Sequence, residues 1–232
     1  NVSVYENIFV GNQAGRNNIF GFWNTFLGVE AGLNNTGSDN TFIGYKAGYA
    51  HTTRGGNVYL GSKAGENAID GEQNILIGES AGSEISTATR NVFIGFQSGF
   101  NTSFGSNNVF LGSLSGFTNG SGSSNVFLGN KAGFSNISGS WNTFLGFESG
   151  YSNINAHYNS FIGFQAGFNN FAGTHNTYMG YQSGFNNTQG SSNVFIGHNS
   201  GRANEIGHNN VYIGKDAGYL NTFGNNHVFI GH

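Results

Sequence analysis

The 232 residues carry a formal net charge of −3, with 8% charged side chains, 15% aromatic ones, 40 glycines, no proline and no cysteine. The missing cysteines exclude disulfides, thiolate metal sites and a cysteine nucleophile, and the thin charge excludes the basic stripe that nucleic acid requires. Low charge with abundant aromatics is the reverse of a disordered chain, and no apolar run approaches the roughly 20 residues of a membrane span.

The elements follow one another as copies. The first is Asn7-Ile8-Phe9-Val10-Gly11, the second Asn24-Thr25-Phe26-Leu27-Gly28, and the fourteenth His227-Val228-Phe229-Ile230-Gly231. Twelve of the 13 spacings between starts are 17 residues, and the one from Asn24 to Asn40 is 16. A single period throughout marks one unit stacked on itself. No linker or composition shift divides the tract, so residues 1–232 read as one domain of about 13–14 coils. The chain begins and ends inside its own period and lacks an initiator methionine, from which we expect a segment of something larger.

Within a coil, let the Asn be position zero. Positions one to three form a strand: the first is mostly β-branched, the second aromatic in 13 of 14 copies, the third always aliphatic. Alternate side chains point to opposite faces, so both faces are apolar, as in a sheet covered twice. Positions four and eight are glycine wherever they occur, as in Gly28 and Gly32 or Gly146 and Gly150. Such fixed glycines mark positive φ or a close backbone approach around a turn. Position seven is always Ala or Ser, position six is polar nearly throughout, and position nine is aromatic in eight of 13 copies. A second, weaker strand is expected to begin at position nine. The remaining residues are the Asn, Ser, Thr and Gly of turns.

The pattern predicts an all-β fold, a parallel β-solenoid with one 17-residue coil per repeat and a rod roughly 65 Å long. A helix would need two glycines in every interior period, at about 1 kcal/mol each. The position-zero residues Asn24, Asn40, Asn57, Asn74, Asn91, Asn108, Asn125, Asn142, Asn159, Asn176, Asn193 and Asn210 are expected to stack as an amide ladder. So thin a coil hides only one strand face. The other forms an apolar strip longer than monomers expose, so rods are expected to associate sideways, with a closed trimer favoured. We assign positions one and three to the interior. The association strip is then the aromatic row Phe26, Phe42, Phe93, Phe110, Phe127, Phe144, Phe161 and Phe195, with the reverse assignment left open.

The run Asn40 to Gly48, Asn-Thr-Phe-Ile-Gly-Tyr-Lys-Ala-Gly, resembles a repeat of bacterial surface and phage-derived fibre proteins. More loosely, it is similar to the head repeats of YadA-like trimeric autotransporter adhesins, whose shorter coils build left-handed parallel β-rolls packed in threes. The resemblance implies a left-handed rod, a trimer, and an extracellular or cell-surface fibre or adhesin segment; it names no ligand. Two other classes are a filament subunit stacking end to end through uncapped coils and an ice-binding solenoid. The latter is disfavoured because Thr alternates with Val and Ile at position one.

No enzyme, cofactor or metal site is expected. The seven histidines fall mostly in the polar turn without ligand spacing, and no calcium-binding Gly-Gly-x-Gly-x-Asp run occurs. The glycine pairs follow a strand but open no helix, so they are not a phosphate loop. Asn34, Asn101, Asn119, Asn136 and Asn186 head glycosylation-type triplets in the turn, where they should be accessible.

Overall fold

A computed structural model describes residues 6–232. Fourteen strands of three residues, from β1 (Ile8–Val10) to β14 (Val228–Ile230), form one sheet in chain order. Every neighbouring pair is parallel and in register. In β9 (Thr143–Leu145) and β10 (Ser160–Ile162), Thr143 pairs with Ser160, Phe144 with Phe161 and Leu145 with Ile162. The chain is therefore an all-β parallel solenoid with one coil per repeat.

The 16-residue coil leaves this register intact, since β2 (Thr25–Leu27) pairs with β3 (Thr41–Ile43) residue for residue. The missing residue comes out of the polar turn. Asn24 Nδ2 donates to the carbonyl of Gly37, 13 residues on, where Asn142 Nδ2 reaches Ala156, 14 residues on.

Position two points inward. Phe26, Phe42, Phe93, Phe110, Phe127, Phe144, Phe161 and Phe195 are fully buried within their own rod. Their rings stack coil on coil, the Phe110–Phe127 and Phe127–Phe144 centroids lying 4.7 and 4.8 Å apart. These eight residues are the core and not the association strip expected of them. The reason is steric: a coil this narrow closes around one large side chain, and position eight makes room for it. A Cβ on Gly150, whose φ is +59°, would fall on the Phe144 ring. Position four serves a different approach, because a Cβ on Gly146 would meet the carbonyl of Gly163 in the next coil. Positions one and three consequently face outward, half-buried or exposed in every strand.

No strand forms at position nine. Phe117 and Phe134 lie in turns, because the residues before them carry left-handed backbone: Leu114 and Lys131 at φ +59° and +56°, Gly116 and Gly133 at +59° and +61°. Short-range bonds such as Asn136 N–H to the Gly133 carbonyl (3.1 Å) close the turn. The rings still stack in their own row, with Phe117 and Phe134 centroids 5.2 Å apart.

Candidate functional site

Three rows of polar side chains stitch the coils together. In the first, all twelve position-zero asparagines from Asn24 to Asn210 are buried. Each Oδ1 accepts the backbone N–H of its successor, as from Asn142 to Asn125 and from Asn159 to Asn142 (2.9 and 3.0 Å). Each Nδ2 turns into its own coil and donates to a carbonyl near its end, at position 14 in the 17-residue coils. The ladder thus runs mainly from side chain to backbone; direct amide-to-amide bonds such as Asn142 to Asn125 (3.2 Å) occur only at some steps.

The second row was not foreseen. At position 11, Asn119, Asn136, Asn153, Asn170, Asn187 and Asn204 are fully buried. Asn153 Nδ2 donates to Asn136 Oδ1 at 2.8 Å and to the Ala156 carbonyl at 3.0 Å, and its neighbours repeat this. Seven consecutive copies with Asn at one fixed offset, from Asn119 to Asn221, were the signal, hidden in an Asn-rich turn. The row stops at buried Ala68, Ile85 and Thr102, and the Thr102 hydroxyl has no partner. The third row is at position 15. Ser123 Oγ accepts the N–H of Ser106 (3.1 Å), and Ser140 Oγ that of Ser123 (3.0 Å).

Histidines enter two of these rows. His51 replaces Asn in the second row and is fully buried, contrary to the expected surface turn. Its Nδ1 accepts from Asn35 Nδ2 at 2.9 Å and its Nε2 donates to the Gly71 carbonyl at 3.0 Å. Burial pushes its pKa down, the Gly71 hydrogen bond and Asp70 offsetting only part of this. In the third row, His157 Nδ1 accepts from Ser140 N–H and His208 Nδ1 from Ser191 N–H, each at 3.0 Å. Two of the five glycosylation-type asparagines, Asn119 and Asn136, are buried in the second row, so they are not the accessible acceptors expected; Asn34, Asn101 and Asn186 are half-buried.

The outward sheet face carries the two rows at positions one and three. None of their 28 side chains, two on each of fourteen strands, is charged. Leu27, Leu60, Leu145 and Met179 are each more than 40% exposed. In the stretch from Trp141 to His198 the face is flanked by aromatic columns. Trp141, Tyr158 and His175 stack along one side at 5.0 and 4.9 Å. Phe147, Phe164, Tyr181 and His198 stack along the other at 5.0 to 5.3 Å.

Charge is absent from the two rows themselves but enters the flanking positions elsewhere, as Glu79, Arg90 and Lys215. Lys46 lies 3.8 and 3.7 Å from Glu30 and Glu66, and Lys131 lies 3.8 Å from Glu148. An open depression near the last coils, lined by Asn199, Asp216, Tyr219 and Leu220, holds one carboxylate already bonded to Asn199 Nδ2 and close to Lys215. Among the described residues no three His, Asp or Glu side chains gather as metal ligands, and no helix is long and apolar enough to cross a membrane. Compared with protein-family models, curated proteins and solved structures, the chain matches none.

Proposed function

We propose that the chain is a structural rod, a segment of an extracellular fibre or adhesin, and that it associates sideways with copies of itself in a threefold bundle. One observation carries this reading: uncharged rows at positions one and three run outward along all fourteen strands. At strand spacings of about 4.8 Å the strip is roughly 60 Å long and 10 Å wide, or roughly 600 Å². That is the upper limit of apolar surface a monomer usually leaves bare. With the aromatic columns from Trp141 to His198 it approaches the roughly 800 Å² per partner of a stable interface.

A second copy matches this strip better than a partner of any other fold. Its side chains recur at the same interval, so the two surfaces interdigitate along their whole length. Cyclic closure leaves no strip outside. The extracellular placement rests on the resemblance of the Asn40 to Gly48 run to surface-fibre repeats. The same outward rows are flat enough to raise ice binding again, but position three never carries Thr, so no paired hydroxyl lattice exists.

Sedimentation and light scattering at micromolar concentration test the proposal. The native chain should behave as a discrete oligomer, and Leu145→Lys with Ile162→Lys should shift it towards monomer while the β-sheet circular dichroism persists. A native chain that sediments as a monomer overturns the reading, and thermal hysteresis in that monomer would turn it towards ice.

A further inference from the structure

We infer that His51 makes the rod acid-labile at its own coils. It stands where the repeat otherwise favours Asn, and it uses Nδ1 as an acceptor between coils. An imidazole accepts only while neutral, since both nitrogens of the charged ring carry hydrogens.

The tautomer at His51 follows from its partners. Asn57 Nδ2 lies 3.1 Å from His51 Nε2, but acceptors for both of its hydrogens lie at Gly71 O (3.0 Å) and Asn40 Oδ1 (3.1 Å). His51 Nε2 therefore carries a hydrogen and donates to Gly71, leaving Nδ1 bare towards Asn35. His51 reaches across to Gly71 because the next position-11 residue is only Ala68, which ends the amide row. Protonating Nδ1 sets two donors face to face. Asn35 could relieve this by turning its amide, but its Oδ1 already accepts from Asn18 Nδ2 at 3.3 Å. The conflict then passes to the preceding coil.

The surroundings of His51 give the cation little shelter. Phe42 and Tyr59 stand edge-on to the ring at 5.4 and 5.9 Å. The one carboxylate acting on it, Asp70, accepts from the Thr52 and Thr53 hydroxyls instead and feels Arg54.

The sign is fixed by the neutral folded form. His51 titrates lower in the rod than in the unfolded chain, so the unfolded state takes up more protons as pH falls. Stability is complete above the unfolded value of 6.5. It is lost as pH drops through that value and on towards the lower folded one.

Hydrogen exchange resolved by peptide, expressed as protection relative to intrinsic rates, tests this at about pH 7.5 and about pH 5. The coils spanning residues 35–74 should lose at least tenfold in protection on acidification. The variant His51→Asn supplies the repeat's own residue and should abolish the change. Equal acid losses in native and variant rods overturn the proposal, as does a native rod with no loss. Should the variant fold poorly, imidazole nitrogen shifts of the native chain decide: a charged His51 in the intact rod at about pH 6 also overturns it.

Discussion

Asn142 joins three coils at once. Its N–H is donated to Asn125 Oδ1, its Nδ2 closes its own coil on the Ala156 carbonyl, and its Oδ1 accepts from Asn159 N–H. Removing the amide leaves the buried Asn159 N–H without a partner, at about 1–3 kcal/mol, and takes one of two donors from the Ala156 carbonyl, which keeps Asn153 Nδ2. Asn142→Ala should therefore lower stability towards denaturant by about 1–3 kcal/mol. Asn130→Ala, in an exposed position-five site, should stay within about 0.5 kcal/mol of the native chain. Urea unfolding of both variants checks the contrast; equal losses would mean that the ladder contributes little beyond its backbone. The role of the position-zero Asn was legible because one residue type recurred at one offset. The role of Asn153 was not, because Asn is common throughout the same turn and nothing in its spacing separates a buried amide from a solvated one.

One coil departs from the aromatic stack, and its departure is compensated inside the same element. Leu76 in β5 (Ile75–Ile77) stands in the ring column, while Ile85 occupies the Asn place of the second row; both are fully buried. The two share one space: a Cβ on Gly82 would meet Leu76 Cδ1 and Ile85 Cδ1 at 2.8 and 3.0 Å. A smaller strand residue is offset by a larger turn residue. Leu76→Phe alone should overpack this coil and cost about 1–3 kcal/mol. Ile85→Asn alone should leave a void and an amide without a ladder neighbour at Ala68. The double variant should recover most of both losses, a coupling that a double-mutant cycle in urea measures; additive losses would show that the residues do not share the space.

The same size logic could have settled which strand face is inside. Apolarity could not, because β-branched Thr143, aliphatic Leu145 and aromatic Phe144 are all suited to burial. Position seven never exceeds Ala or Ser and position eight is always Gly. That restriction is the imprint of a large ring lying against the turn, and it places Phe144 rather than Leu145 inside. Strand register and period were legible from repetition alone. The missing second strand was not, since the left-handed φ of Lys131 and Glu148 falls on residues with no intrinsic preference for it.

Across the whole rod, every strand bonds only to the strands of the coils before and after it. Stability in such a stack is a sum of coil terms and nearest-neighbour terms, so length is adjustable if the period is respected. Deleting residues 159–175 removes one whole period and brings Asn176 N–H opposite Asn142 Oδ1, with Tyr178 over Phe144. The shortened rod should keep its sheet circular dichroism, melt within a few degrees of the native chain, and lose about 4.8 Å of length in small-angle scattering. Deleting residues 159–166 instead removes about half a period, the β10 strand with part of its turn, and leaves the turn residues from Gly167 to His175 without a coil to close. That variant should lose the stack above the cut. A different result, in which both deletions are equally harmful, would mean that the rod folds as one cooperative body whose ends depend on each other. The lateral strip gives the test a second reading: an in-period deletion shortens it by one strand of fourteen, and so should leave association intact, whereas a break in the stack divides the strip in two.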